Sequence, residues 1–468
     1  MTSIWWVRRD LRLTDNPALR EAMVNGPVIP VFIFDPILLA SPYVGEKRLA
    51  FLLAGLHQLD ADLRARGSRL IIRRGDPVEQ LVTLMAETGA QMIYAGADVS
   101  PYARRRDARV AARLPLTLLA GPAVRAPWEV RKADGALYTK FTPFSKAWKA
   151  LPLPCREDLL PAPAWLGSPG NLNSLSIPGD PALPSSVPFV AGEAEALRRL
   201  EAFLCRGIVK YAENRNYLDL EGTSALSPYL RFGMLSARQA VVAALEAIAA
   251  APDEKMRNGP QVWLNELIWR EFYLMILYHF PRVCRESLRA DLRNVPWNNG
   301  QADFAAWQTG HTGYPVVDAA MRQLVQTGWI HNRARMIAAS FLTKDLLIDW
   351  RWGERFFMQY LVDGDLAANN GGWQWTAGTG TDAAPYFRVF NPVVQGQKFD
   401  PGGIYVRRWL PELAHVPDEY VHQPWAMPPD IQQAAGCVIG QDYPFPIIIH
   451  AWARQRVLMA YQVAQAKG

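Results

Sequence analysis

The residues from Asp363 to Trp375, DGDLAANNGGWQW, crowd two acids, two amides and two indoles into one short stretch. Asp363, Gly364 and Asp365 make a tight acidic turn. Asn369 and Asn370 offer donors and acceptors. Gly371 and Gly372 let a backbone bend or approach something flat. Trp373 and Trp375 are large rings that need burial and a partner for the indole N–H. For any one of these residues, a capped helix followed by a loop is explanation enough. For the whole set, a cofactor pocket is the better reading.

Three other stretches carry similar constellations. In GTSALSPYLRFG, Gly222–Gly233, Ser227 and Pro228 read as an N-cap and first helical residue. With Thr223 and Ser224 upstream, hydroxyls and free helix N–H groups suit a phosphate, although a plain capped helix explains the stretch alone. Tyr211 and Arg215 lie just before it and favour the phosphate. In VWLNELIWREFYLMILYH, Val262–His279, Glu266, Trp269, Arg270 and Tyr273 share one helical face. A solvated face with an ion pair is the plain alternative, but Trp269 is out of place in water. A cleft that stacks a flat ligand on Trp269 and hydrogen-bonds its edge to Glu266 fits better. In Gly313–Lys344, Asn332, Arg335 and Met336 share a face, and Arg335 can pair with an acid such as Asp363; a buried pair of that kind needs further hydrogen bonds, which a cofactor supplies. His331 reads as a structural histidine. Trp297, Trp350 and Trp373 sit on separate segments. Core packing explains each singly, and a line of indoles can also relay an electron.

These residues need a scaffold. The 468 residues exceed what one core usually holds, so two or more domains are expected. Half the residues are hydrophobic, which argues against disorder. The net charge of +6 leaves 50 basic residues nearly balanced by 44 acids, so any basic surface is a local patch. The dispersed Cys155, Cys205, Cys284 and Cys437 form no C-x-x-C, which argues against a zinc ribbon or disulfide framework; no metal site is expected. MTSIWWVRRD reaches charge too early for a secretory signal, and no apolar run spans a bilayer, so a cytoplasmic protein without a membrane partner is expected.

Apolar runs at Ile4–Val7, Val28–Phe34, Leu70–Ile72, Met92–Tyr94 and Leu116–Leu119 alternate with helical spacing at Pro17–Met23, Arg48–Arg66, Pro77–Thr88 and Tyr102–Leu114. That predicts a doubly wound, Rossmann-like parallel sheet of five strands. No G-x-G-x-x-G follows the first strand; it runs into Arg8, Arg9 and Asp10, so the fold alone assigns no function. Nine prolines in residues 151–190 mark an extended linker. Helical spacing then predicts Glu193–Cys205, Ser236–Ala250, Val262–His279, Pro315–Gln326, Arg333–Leu347, Arg355–Leu361 and Ala451–Ala464, ending near Gly468 with no disordered tail. The expected division is 1–129, an α/β domain; 130–192, a linker; and 193–468, an all-α domain.

Together these stretches resemble the DNA photolyase/cryptochrome family, in particular bacterial class I photolyases for cyclobutane pyrimidine dimers. The resemblance runs from VRRDLRLTDNPAL at Val7 to YPFPIIIH at Tyr443, and includes FTPFSKAW at Phe141–Trp148. It implies an α/β antenna-chromophore domain and a helical domain that holds a U-shaped FAD. It places Tyr211, Thr223, Ser224, Ala225, Leu226 and Ser227 at the FAD phosphates. Asp363, Gly364 and Asp365 fall at the ribose and flavin edge, with Arg335 paired to Asp363 and Asn369 beside the reactive flavin nitrogen. It implies that Glu266 hydrogen-bonds the dimer, that Trp269 and Trp375 stack on it, and that Met336 touches it. Trp373, Trp350 and Trp297, in that order outward, become a photoreduction chain. Arg215, Glu266, Leu267, Ile268, Trp269, Arg270, Glu271, Phe272, Tyr273, Asn332, Arg333 and Gln395 fall against the DNA. The implied chemistry is one-electron donation from a light-excited reduced flavin to a dimer flipped from single- or double-stranded UV-damaged DNA, with the protein supplying orientation and electrostatics; photolyases are a standard example of base flipping. A monomer is expected.

A cryptochrome has the same fold and FAD. The expected lack of a C-terminal extension, Asn369, and the set Glu266, Trp269, Met336 and Trp375 count against one. A (6-4) photoproduct enzyme would use a histidine where Met336 stands. A non-catalytic FAD-binding protein would not need Glu266 and two indoles facing a cavity. The family also carries an antenna pigment, a methenyltetrahydrofolate or an 8-hydroxy-5-deazaflavin. Folate binders place a Glu where DVSPYARRRD has Ala103, which tilts the expectation to the deazaflavin, with Asp35, Arg48 and Asp98 as candidate contacts. Arg104–Arg106 reads as a solvated face.

Overall fold

The computed structural model describes residues 2–24 and 26–467; Gly468 lies outside them. The chain packs as two compact units, one of Met1–Ala212, Thr223–Pro281 and Val362–Ala367, the other of Glu213–Gly222, Arg282–Leu361 and Ala368–Gly468.

The first unit is built on a parallel sheet of β1 (Ser3–Val7), β2 (Val28–Phe34), β3 (Ile71–Arg74), β4 (Met92–Gly96) and β5 (Leu116–Leu119), in the order β3-β2-β1-β4-β5. Every residue of β1 and β2 is buried, as strands covered on both faces require. The intervening helices start on sequence signals: Asp76 accepts from Val78 N and Glu79 N ahead of Pro77, and Ser100 accepts from Ala103 N ahead of Pro101. The strand order reverses between β1 and β4, so the crevice at their carboxyl ends is the natural ligand position. The same unit holds the Glu254–His279 helix, longer than expected and tolerant of Pro260 near its start.

One helix falls inside the segment expected to be a linker, Phe141–Ala150. Its Phe144, Ser145 and Trp148 are buried, and the extended reading does not hold there. Residues 151–192 are irregular apart from a single turn, Arg156–Asp158.

The second unit is helical. Its core gathers Trp307, Met321, Phe341, Trp350, Trp373, Tyr405 and Tyr443. The helix expected over Arg333–Leu347 is interrupted: Asn332–Ser340 is α-helical, and Phe341–Asp345 is a π turn. The turn buries Lys344, whose Nζ donates to Ala377 O at 2.8 Å, and Asp345, which meets His450 Nδ1 at 2.5 Å. The wider turn lets two polar side chains find partners in a core that a regular helix would present differently.

Gly233 ends the short helix Ser227–Phe232 at φ 66°, and a Cβ there would stand 1.9 Å from Arg9 O. Gly233→Ala should lower stability by roughly 2–4 kcal/mol. A lower urea midpoint at unchanged slope would show it; an unchanged midpoint would mean that the Arg9 backbone yields freely.

Candidate functional site

In the first unit the acidic turn is buried and held by arginines. Asp365 Oδ2 meets Arg9 Nη2 at 2.5 Å, and its Oδ1 accepts from Ala367 N at 3.0 Å. Arg231 Nε donates to Gly364 O at 2.8 Å, and Arg9 Nε to Arg231 O at 3.3 Å. Arg48 is buried in the fields of Asp363 and Asp365; burial pushes its guanidinium down to about 10 and the carboxylates oppose that. Burial first and Arg9 second push Arg231 down to about 9. Arg9 and Arg231 were not among the expected site residues; Arg9 lies in the run of charge after β1, and Arg231 inside the GTSALSPYLRFG stretch.

Ser227 does not cap its helix. Leu226 occupies the cap position without a side-chain bond, and Ser227 Oγ instead donates to Asp363 Oδ2 at 2.6 Å. A hydroxyl donating to a carboxylate makes a charge-assisted bond, stronger than a neutral one. The loop ahead of it is strained: Ala225 has φ 50°, rare for a residue with a Cβ. Thr223, Ser224 and Ala225 are half-buried and Leu226 buried, while Tyr211 is buried edge-on to Phe203.

The Glu254–His279 helix sorts its expected site residues into two groups. Glu266, Trp269 and Tyr273 are half-buried. Leu267, Ile268, Glu271 and Phe272 are buried. Glu271 accepts from Val124 N at 2.5 Å, Arg125 N at 3.2 Å and Trp148 Nε1 at 2.6 Å. Arg270's terminal nitrogens donate to Pro122 O at 2.5 Å and Leu230 O at 3.1 Å. Both residues tie the loop after β5 to the helix.

The expected antenna contacts are dispersed. Asp35 caps the short helix Pro36–Leu39 and accepts from Tyr102 Oη, Arg48 joins the acidic turn, and Asp98 lies 3.7 Å from Arg9. The crevice at the carboxyl ends of β1, β4 and β5 is lined by Arg8, Arg9, Asp98 and Gly121 among others and encloses ≈ 10 Å³, room for one water.

In the second unit the Leu366–Ala377 helix has two faces. Asn370 and Gln374 are buried and donate to Val283 O at 2.9 and 3.0 Å. Asn369, Gly372 and Trp375, at i, i+3 and i+6, are not buried, and a Cβ at Gly372 would meet nothing within 4 Å. Asn369 Nδ2 donates to Glu354 O at 3.0 Å and Oε1 at 3.1 Å. Because a backbone carbonyl only accepts, that fixes the nitrogen inward and leaves Asn369 Oδ1 as the outward acceptor. This helix therefore carries an unburied face with one oriented acceptor.

Trp373 and Trp350 are buried and Trp297 partly so, in one hydrophobic cluster. Gly353, one turn beyond Trp350, is where Trp373 packs: a Cβ there would lie 2.1 Å from its ring. Asn332 is exposed and Met336 half-buried, with Asn332 Nδ2 3.6 Å from Met336 Sδ. Arg335 Nε donates to Ile330 O at 3.0 Å. Arg333 lies over Phe399 and donates to Asn216 Oδ1 at 2.6 Å; burial, then Arg215 and Arg388, push it down to about 10. Burial and three arginines push His331 down to about 4. Arg388 was not among the expected site residues. Gln395 Oε1 is buried with no hydrogen bond among the described residues.

Known proteins match this arrangement. The family model described as DNA photolyase matches residues 3–164, and that described as the FAD binding domain of DNA photolyase matches 263–463. A deoxyribodipyrimidine photo-lyase of Synechococcus is 41% identical, over 99% of this chain and 97% of that one. Among solved structures, a bacterial class III photolyase from Agrobacterium tumefaciens is 36% identical, with a TM-score of 0.93 over 99% of this chain and 98% of that one. A Synechocystis cryptochrome is 29% identical, with a TM-score of 0.90 over 98% and 99%. An archaeal photolyase from Sulfolobus tokodaii, solved with two FAD molecules, is 32% identical, with a TM-score of 0.83 over 99% and 100%. Fold and sequence therefore define a protein with an α/β part and a helical FAD-binding domain. The chain belongs to the DNA photolyase family.

Burial pushes the Glu354 carboxyl up to about 7 from an ordinary 4.5. A folded pKa above the unfolded one means that this contribution to stability is complete below about pH 4.5 and lost as pH rises through about 7. Glu354→Gln should flatten that fall by on the order of 3 kcal/mol. Urea unfolding of both proteins at pH 5 and pH 8 measures it; equal falls in the two would contradict it.

Proposed function

We propose that this protein repairs cyclobutane pyrimidine dimers in UV-damaged DNA in a light-dependent reaction, as a carbon–carbon lyase. The observation that carries this reading is the half-buried stripe Glu266, Trp269 and Tyr273 in a chain with an FAD-binding domain. A flat, edge-polar base finds there a ring to stack on and a carboxyl to hydrogen-bond. Bound FAD, once reduced, supplies the light-driven one-electron chemistry.

The chain's residues do the rest. Tyr211, Thr223–Ser227, Arg335, Asp363, Gly364 and Asp365 bind the nucleotide. Asn369 presents its oxygen to the flavin edge. Glu266 hydrogen-bonds the dimer carbonyls; Trp269, Trp375 and Met336 give it apolar surface. Trp373, Trp350 and Trp297 carry an electron inward. The gradient from two buried indoles to a partly exposed one supports that order, because the outermost indole can shed its proton to water. Arg215, Asn332, Arg333 and Gln395 meet the DNA, and Arg388 joins them: with Arg215 and Arg388 facing it, the Arg333 guanidinium favours a polyanion.

The enzyme works as a cytoplasmic monomer on single- or double-stranded DNA, with the residue ranges 1–129, 130–192 and 193–468 as antenna domain, linker and catalytic domain. A second chromophore of deazaflavin or folate type binds the first of these.

Glu266→Ala should slow light-dependent repair roughly tenfold or more while FAD absorbance is retained. Unchanged repair would remove Glu266 from the mechanism. Arg333→Ala should weaken binding to damaged and undamaged DNA alike and lower the salt slope by about 1. A titration at three salt concentrations tests this; an unchanged slope would mean that Arg333 serves only Asn216 and Phe399.

A further inference from the structure

We infer that Phe141 is a positioning residue for lesion recognition: it backs one face of Trp269 and leaves the indole a one-sided platform. This deepens the proposed function and rests on Trp269 receiving the lesion.

The rings of Phe141 and Trp269 lie 3.8 Å apart at 7°. Aromatic pairs prefer offset or edge-on arrangements to such close parallel overlap. The pair is therefore held by what surrounds it. Phe141, Phe144, Ser145, Trp148 and Lys149 form one face of the Phe141–Ala150 helix. Lys149 Nζ donates to Asn265 Oδ1 at 2.7 Å, with Ser145 Oγ 3.4 Å from the same atom. Trp148 Nε1 donates to Glu271 Oε2 at 2.6 Å, and Phe144 packs on Phe272 at 5.1 Å. These anchors grip the Glu254–His279 helix on both sides of Trp269 and drive Phe141 onto its ring.

Trp269 is confined further by Phe272 at 5.6 Å and 78° and Tyr273 at 5.5 Å and 37°. Among the described residues only Phe141 lies parallel to it. The indole is half-buried, so surface remains for a base on the side away from Phe141. A ring fixed before binding loses little freedom when a base stacks, and that raises affinity without a new contact. Undamaged duplex keeps its bases stacked and gains nothing from the platform.

The test is dark binding of the FAD-loaded protein to an oligonucleotide with one thymine dimer and to its undamaged copy. Phe141→Leu should weaken dimer binding roughly threefold to tenfold. Undamaged binding, FAD absorbance and the light-driven rate at saturating lesion should not change, and Phe141→Tyr should restore affinity. Trp269→Leu should lose at least as much, and the double variant no more than Trp269→Leu alone. If Leu loosens the helix, Phe141→Met, which keeps bulk without a ring, decides by the same comparison. Wild-type binding by the Phe141 variants with a loss in Trp269→Leu would overturn the inference alone. Wild-type binding by Trp269→Leu would overturn it together with the role of Trp269.

Discussion

Two carboxylates, Asp363 and Asp365, are buried side by side, and much of the first unit is arranged to make that tolerable. Buried charge is costly unless paired and hydrogen-bonded. Here Arg9 comes from the end of β1, Arg48 from the Glu46–Arg64 helix and Arg231 from the Ser227–Phe232 helix. Ser227, at the first position of its helix, donates to Asp363. Where a glycine fingerprint would follow β1 stand Arg8, Arg9 and Asp10; Arg8 meets Asp107, Arg9 meets Asp365, and Asp10 accepts from Trp5 Nε1 and Arg8 N. Removing any one partner would leave a charge unmatched, so the cluster is expected to behave as a unit.

The second unit solves a different problem on the Leu366–Ala377 helix. One side buries amides and an indole against the Val283 carbonyl and Gly353; the other, with Asn369, Gly372 and Trp375, is not buried. Glu354 joins the two sides. Its carboxyl and backbone oxygens take the Asn369 amide nitrogen and thereby aim the oxygen outward. A buried carboxyl that is readily protonated near neutral pH is less costly there than a fixed charge would be.

The sheet was legible because strands covered on both faces are continuous apolar runs: Val28–Phe34, buried throughout, matches its strand residue for residue, and so does the edge strand Leu116–Leu119, where Leu118 is exposed. Pro77–Thr88 was equally plain, because an Asp-Pro start and a glycine stop bound it. The π turn at Phe341–Asp345 was not legible, since helical spacing does not reveal a register that widens by one residue. Nor was the Phe141–Ala150 helix, which has a proline in its first turn and lies beside a proline-rich stretch. Among site residues, local patterns exposed Glu266, Trp269 and Asn369. Arg9, Arg231, Arg388 and Glu354 act on partners distant in sequence, and a lone charge in a sequence carries no mark of its partner. The partners of Arg270 and Glu271 were hidden for the same reason: only the fold reveals the carbonyls and amides they hold.

The central claim is that light, the bound flavin and this chain together reverse a pyrimidine dimer. The most direct measurement mixes the reduced, FAD-loaded protein with an oligonucleotide carrying one cis-syn thymine dimer and counts intact thymines after blue light and after darkness. Repair in the light and none in the dark is the predicted result. A protein that binds FAD and is reduced by light, yet leaves the dimer intact in both conditions, would contradict the account and direct attention to a signalling role or a different lesion.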